Sequence, residues 1–384
     1  MSAPLYTITR VNSLAELASA ADPWNRLVEG SRNLLPSSSY AWISSYLEHR
    51  LRENEGWICY LAYKGSELVG VLPLIMTQTR FPLGGTKILR LPSDLHTVSA
   101  DLVCRPEDSM EIVEALIRSA FEDYPEAPYL AFSRIRDDSA VLAWLGKDAR
   151  RPLHTIEWDG NGAYLPTGGL YDTYREQLSA KFRKNQSYYS RQISKLPGFS
   201  LQMLIGAEAT PEDLNRFMKV EAANWKGEAG TAILASDPLR QFYETLVQRL
   251  HRCGWLRWDF IEVDRNWIAA SFGVQLGSRQ IVWKPAYDAK HERLSAGTVL
   301  LDALIRRAFE DPQIEEVDLL SDYPYFSKWR VSMRPYYNVR LYRRRPLALV
   351  CHYAPTRLRM ELRRFPLLRK VWTGLKSQIR SMRA

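Results

Sequence analysis

Several residues in the second half of the chain are of types and spacings that can do acid–base or anion-binding chemistry. Glu221 stands one helical turn before Trp225, with Lys226 next and Gly227 and Gly230 just beyond. A glutamate serves as a general base when an apolar cleft raises its pKa. A tryptophan face beside a cation suits a sugar or peptide ligand. The plainer alternatives are a surface glutamate, a core tryptophan and a solvated lysine. Tyr287 and Asp288 close a predicted strand. They can donate a proton and orient a ligand, or simply form a strand-end turn. Lys284, on the same strand, is an unusual cation for a strand interior and so a candidate to face a cleft. Arg293-Leu-Ser-Ala-Gly-Thr298 occupies a strand-to-helix junction. There Gly297 lets a ligand approach the backbone, the free N–H groups at the helix start attract anions, and Ser295 adds a hydroxyl. The alternative is that Ser295 only caps the helix. Lys328 and Trp329 end the segment DLLSDYPYFSKW, residues 318–329.

Other chemistries find no motif. There is no GxSxG elbow, no HExxH helix, no Walker A loop, no GxGxxG and no DxD pair. The six histidines show no metal-ligand spacing, so no metal site is expected.

The elements that must position these residues occur twice in the same order. In the first half, helices are predicted at Leu14–Val28 and Ser39–Leu51. A hairpin follows, Trp57–Lys64 and Leu68–Gln78 about a Gly65-Ser66 turn. Strands at Lys87–Leu91 and Asp101–Cys104, a helix at Met110–Phe121 and a strand at Tyr129–Phe132 complete it. The second half has helices at Pro211–Asn224, with Thr210 as N-cap, and at Pro238–Arg252. Its hairpin is Leu256–Val263 and Trp267–Leu276. Then come a strand at Arg279–Tyr287, a helix at Gly297–Phe309, and strands at Glu315–Leu320 and Tyr336–Arg343. This repetition indicates duplication of one α/β unit. Between the halves, Tyr171–Leu196 reads as one basic helix carrying Arg175, Lys181, Arg183, Lys184, Arg191 and Lys195. It can hold phosphates or sugar acids, or be a solvated face.

The 384 residues are 46% hydrophobic and 11% aromatic, a globular composition that excludes wholesale disorder. No apolar run approaches the roughly 18 residues of a membrane helix; Leu68–Met76 is interrupted by Gly70 and Pro73. The first residues do not read as a secretory signal. Four widely spaced cysteines fit reduced thiols in a cytoplasmic protein. Thirteen Lys/Arg against one acid after residue 339 give that stretch +12 of a net +9, leaving −3 for the rest. Leu358, Leu362, Phe365, Leu368, Trp372, Leu375, Ile379 and Met382 follow helical spacing among these cations. Residues 355–384 therefore read as a basic amphipathic helix, bent near Pro366. It lies on an anionic membrane or packs on the body or a second subunit.

The ordered set EAANWKGEAGTAI (221–233), FYETL, GWLRWDFIEV, IAASFGVQ, WKPAYDAKHERLSAGTVLLDALI and VDLLSDYPYFSKW resembles the BioF2-like, cellulose-biosynthesis (CelD-type) acetyltransferase family. That family belongs to the GNAT superfamily and is related to Fem-type transferases. The resemblance runs from about Tyr171 to Arg343, and over the first 165 residues rests on element order. It implies a tandem GNAT-like α/β (α+β) fold, with two mixed sheets flanked by helices. The expected divisions are 1–165, a catalytic 166–345 and the tail 346–384.

The resemblance further implies direct acyl transfer from acetyl-CoA or another acyl-CoA to the amine or hydroxyl of a sugar in an envelope or exopolysaccharide precursor. The protein is then cytoplasmic, with the tail able to dock it on the inner membrane face. In that chemistry Glu221 is the base, Tyr287 the acid for the leaving thiolate, and Asp288 orients the acceptor. Arg293, Ser295, Gly297 and Thr298 hold the CoA pyrophosphate. Ala296 and Thr298 depart from the superfamily's R/Q-x-x-G-x-G/A loop. Trp225, Lys226, Lys284, Lys328 and Trp329 meet the acceptor. Two other readings stand beside this one: a Fem-like transferase using aminoacyl-tRNA, with the basic helix on RNA phosphates, and a non-catalytic scaffold in a polysaccharide-synthesis complex.

Overall fold

A computed structural model describes residues 5–79, 85–146, 151–223 and 232–362. Thirteen strands form one mixed sheet. They are β1 (Thr7–Val11), β2 (Gly56–Lys64), β3 (Glu67–Thr79), β4 (Thr86–Arg90), β5 (Val103–Cys104), β6 (Tyr129–Arg136), β7 (Leu153–Pro166), β8 (Ser200–Ile205), β9 (Leu256–Val263), β10 (Asn266–Leu276), β11 (Arg279–Tyr287), β12 (Glu316–Asp318) and β13 (Ser332–Tyr342).

The order is β1-β2-β3-β4-β6-β13-β7-β12-β11-β10-β9-β8, with β5 a spur on β3. Read inward from either edge, the two halves match strand for strand. Each has one parallel pair, β4–β6 and β11–β12, among antiparallel neighbours. The repetition seen in the sequence is thus a structural one. The two half-sheets fuse at their centre by exchange: β7 leaves the first half to pair with β12, and β13 leaves the second to pair with β6. The two then pair with each other from Leu153–Tyr342 to Tyr164–Ser332.

Both hairpins form where Gly65 and the Asp264-Arg265 pair adopt positive φ, as tight hairpin turns require. Other expectations change in detail. Leu14–Val28 divides into helices Leu14–Ala18 and Ala21–Glu29. The basic helix divides into Tyr171–Gln177 and Ala180–Ile193, because Leu178 is extended and Ser179 caps a new start, accepting from the Phe182 amide. Thr210 makes no side-chain cap; its hydroxyl donates to Asp213 instead. The Glu315–Leu320 strand shortens to three residues. Strands β1, β7 and β8 and the helix Ala140–Leu145 have no counterpart in the sequence-based reading. The tail is described only through the helix Ala354–Leu362. The rest of the expected amphipathic helix, and the bend at Pro366, lie outside the described residues. No helix among the described residues is long and apolar enough to cross a membrane.

The two halves share one core on a single sheet face. Helix Tyr40–His49 of the first half packs on helix Asp237–Arg252 of the second. There Trp42 meets Phe242 edge-on at 5.3 Å between ring centres and lies 4.3 Å from the Trp283 ring on β11. Polar contacts reinforce the seam: Arg249 donates to Ser45 at 3.0 Å, and His49 lies 2.8 Å from Thr245 Oγ1. This packing carries the first-half loop at residues 94–98 to β11.

Candidate active site

The site begins where a strand pair comes apart. β11 and β12 run parallel only from Arg279–Glu316 to Ile281–Asp318. Beyond that, β11 continues to Tyr287 while the other chain turns away. The Leu319 amide bonds the Ala163 carbonyl at 2.9 Å, and Leu320 takes a positive φ of 61°. A wedge opens between residues 282–287 and 319–321, and a cavity of about 830 Å³ fills it. On its other side β11 is bulged against β10 at Phe272/Gly273. Gly273 permits this close approach, since a Cβ there would stand 2.8 Å from the Ile281 carbonyl oxygen.

One wall of the cavity is the start of helix Ala296–Glu310. Ser295 precedes it with φ 50° and ψ 39° and makes no side-chain cap, so its hydroxyl is not spent on the helix. The Thr298 and Val299 amides return to the Ser295 carbonyl, while those of Ala296 and Gly297 have no backbone acceptor among the described residues. Oriented N–H groups of this kind, at the positive end of a 15-residue helix, favour an anion. A Cβ on Gly297 would meet only Tyr287, at 3.8 Å, so the glycine leaves open space above the helix start. Tyr325 donates to Thr298 Oγ1 at 3.1 Å and closes that side.

The opposite region is polar and built by both halves. Lys284 lines the cavity, and its ammonium donates to Glu221 Oε1 at 2.8 Å and sits 5.5 Å from the Tyr243 ring centre. Glu221, fully buried, also accepts from the Ile233 amide at 2.9 Å. Arg50 and His96 arrive from the first half. Asp94 organises them: Oδ2 accepts from Arg50 Nε at 3.0 Å and Nη2 at 2.8 Å, and Oδ1 accepts from the His96 amide at 2.8 Å. Burial and then the nearby Lys284 cation push the His96 imidazole down to about 4, so it is uncharged at neutral pH. Among the described residues no group of His, Cys, Asp and Glu is placed to hold a metal.

Of the residues singled out from sequence, Lys284, Tyr287, Ser295, Gly297 and Thr298 come together around this cavity. Glu221 does not line it. Its carboxylate is engaged behind Lys284, which makes it the partner of that cation and not a base open to an acceptor. Asp288 caps the following turn, accepting from the Lys290 amide at 2.9 Å with His291 Nδ1 at 3.5 Å, and like Arg293 it does not line the cavity. Lys328 is exposed. Trp329 is buried against Phe182, 5.1 Å between ring centres, and belongs to the core. Trp225 and Lys226 lie outside the described residues. Sequence reasoning missed Arg50, His96 and Tyr325. The two first-half residues carry no local signal, because they lie almost two hundred positions or more from β11 in the chain.

Residues 180–327 match the model of an acetyltransferase (GNAT) domain. That stretch contains the wedge, the helix start and Lys284. Whole-chain likeness extends to solved structures. The crystal structure of FemX superposes with a TM-score of 0.57 at 11% identity, over 88% of this chain and 98% of that one. A conserved protein of unknown function from Bacteroides thetaiotaomicron VPI-5482 gives 0.54 at 11%, over 87% and 100%. The C-terminal domain of a putative lysylphosphatidylglycerol synthetase from Agrobacterium fabrum gives 0.52 at 13%, over 89% and 97%. At these identities the likeness is one of fold. No curated protein matches this chain.

Proposed function

We propose that the protein is an acyl-CoA-dependent acyltransferase, with acetyl-CoA the first donor to test. It passes the acyl group directly to an amine or hydroxyl. The observation that carries this reading is the wedge between β11 and β12. It joins an anion-favouring helix start to a polar pocket holding Lys284, all inside a stretch that matches an acetyltransferase domain, with His96 added from the first half. The donor's pyrophosphate binds the Ala296 and Gly297 amides and the Ser295 hydroxyl. Its amide-bearing arm lies along the edge of β11 that has no strand partner past Ile281. The thioester then reaches Lys284, whose charge stabilises the oxyanion formed as the acceptor attacks. The carbon–sulfur bond breaks, and Tyr287, beside Gly297, protonates the departing thiolate. The acceptor class we favour, an amino sugar or hydroxyl of an envelope or exopolysaccharide precursor, rests on the family resemblance of the second half.

One observation favours a second reading, in which the donor is aminoacyl-tRNA. Helix Ala180–Ile193 exposes Lys181, Lys184 and Arg191, with Lys195 just beyond it, and packs against helix Ala296–Glu310 and the turn Ala289–Leu294 at the cavity's edge. Such a face attracts nucleic-acid phosphates.

Calorimetric titration of acetyl-CoA into the wild type and Gly297→Trp, with tRNA titrated in parallel, separates the two. Saturable acetyl-CoA binding that Gly297→Trp weakens at least about tenfold, some 1.4 kcal/mol, supports the first reading. Salt-dependent tRNA binding without acetyl-CoA binding establishes the second. Binding of neither leaves a scaffold.

A further inference from the structure

We propose that His96, supplied by the first half of the chain, is the general base of the transfer carried out by the second half. It takes the acceptor's proton. The inference rests on the acyltransferase reading above and identifies the group that reading leaves without a residue, since Glu221 is engaged behind Lys284.

The placement is specific. His96 lines the cavity together with Lys284, across the seam between the halves. Its backbone is held at both the amide and the carbonyl. The amide donates to Asp94, Asp94 is gripped by Arg50, and the His96 carbonyl accepts from Trp283 Nε1 at 3.3 Å. The ring stands edge-on to Tyr243, 6.1 Å between centres. Both ring nitrogens lack a hydrogen-bond partner among the described residues, whereas Arg50, Lys284 and Tyr325 in the same cavity are each engaged. A backbone this firmly held and a side chain left open describe a group positioned for a ligand.

The charges facing it fix its form. Lys284 and Arg50 oppose protonation, while Asp94 and Glu221 favour it; burial sides with the cations. The imidazole is therefore a free acceptor at neutral pH. A base of low pKa serves because the attacking nitrogen or oxygen becomes positively charged as its bond to the carbonyl carbon forms, which makes its proton far more acidic than in the free acceptor. The new carbon–nitrogen or carbon–oxygen bond forms and the proton passes to His96. The carbon–sulfur bond then breaks, the thiolate leaves with a proton from Tyr287, and solvent returns a proton to the tyrosine. Beside Lys284 the imidazolium gives its proton readily to solvent.

Bromoacetyl-CoA tests this without knowledge of the acceptor. An unprotonated imidazole nitrogen that faces the transferred carbon displaces bromide, forming a carbon–nitrogen bond with net loss of HBr. Calorimetry first establishes that acyl-CoA binds; peptide mass spectrometry then locates the label. We expect it on His96, blocked by excess acetyl-CoA and absent from His96→Gln, with the variant's acetyl-CoA affinity unchanged. The labelling rate stays flat from about pH 5.5 to 8, whereas an ordinary histidine slows as it protonates near 6.5. Bound reagent that labels Lys284, a cysteine or nothing overturns the assignment and leaves the acyltransferase reading standing, as does a rate that falls with a midpoint near 6.5. Absence of acyl-CoA binding overturns both.

Discussion

Replacing Lys284 by methionine removes the cation from the ion pair that lines the cavity. The 2.8 Å contact then disappears, and Glu221, with no exposed surface, keeps the Ile233 amide but loses the Lys284 ammonium. A buried carboxylate stripped of its ion-pair partner costs about 3–5 kcal/mol. We expect about 4 for Lys284→Met, a loss of roughly a thousandfold in the folding equilibrium. The converse change, Glu221→Gln, is milder, at about 2 kcal/mol. Its side chain still accepts from Ile233, and the orphaned ammonium, 11% exposed on the cavity wall, can recruit water. Combining the two substitutions gives the decisive sign. The double variant, Glu221→Gln with Lys284→Met, removes both charges of the pair, so it is more stable than Lys284→Met alone. Equilibrium urea unfolding, followed by tryptophan fluorescence and far-ultraviolet circular dichroism, reads these differences as midpoint shifts at constant slope. A double variant less stable than Lys284→Met, or a Glu221→Gln cost above that of Lys284→Met, would falsify the placement of the charge.

Other expectations follow from the same geometry. Gly162→Ala places a methyl against the Tyr336 hydroxyl, which donates to the Leu320 carbonyl at 3.0 Å; overpacking at this centre of the sheet costs about 1–3 kcal/mol, seen as a lowered Tm. Asp101 is 2% exposed, and burial raises its carboxyl from 3.8 to about 7. The native state then binds a proton that the unfolded chain releases, so stability falls as pH climbs from about 4 through 7. Asp101→Asn removes that penalty, and its Tm relative to wild type becomes more favourable at pH 8 than at pH 5; an unchanged difference between the two pH values would count against a raised pKa.

Much of the fold was legible in local pattern. Hairpin turns, the apolar run of β3 and the helical spacing of Ser109–Asp123 are short-range signals, and the repeated element order exposed the duplication. The exchanged strand β7 was not legible, because its residues read as a mixture of polar and apolar positions. Its burial comes from β12 and β13, partners about 150 or more residues away. The same division runs through the site. Lys284 was visible as a cation inside a strand, and Gly297 and Ser295 as the start of a helix, since these are local departures from what an element ordinarily contains. The role of Glu221 was not, because a carboxylate's behaviour depends on its neighbours, and Lys284 reaches it only when β11 packs on the helix Leu214–Ala222.

By itself, then, the sequence determined the repeated α/β units, the helix start suited to an anion and the basic character of the C-terminal tail, all properties carried by neighbouring residues. The tertiary structure alone decided that β11 and β12 part beyond Ile281, that the carboxylate of Glu221 is paired, and that Arg50 and His96 face Lys284. The reason is physical: charge state and cavity shape arise from groups brought together by packing across the seam of Trp42, Phe242 and Trp283, and no spacing along the chain encodes that meeting.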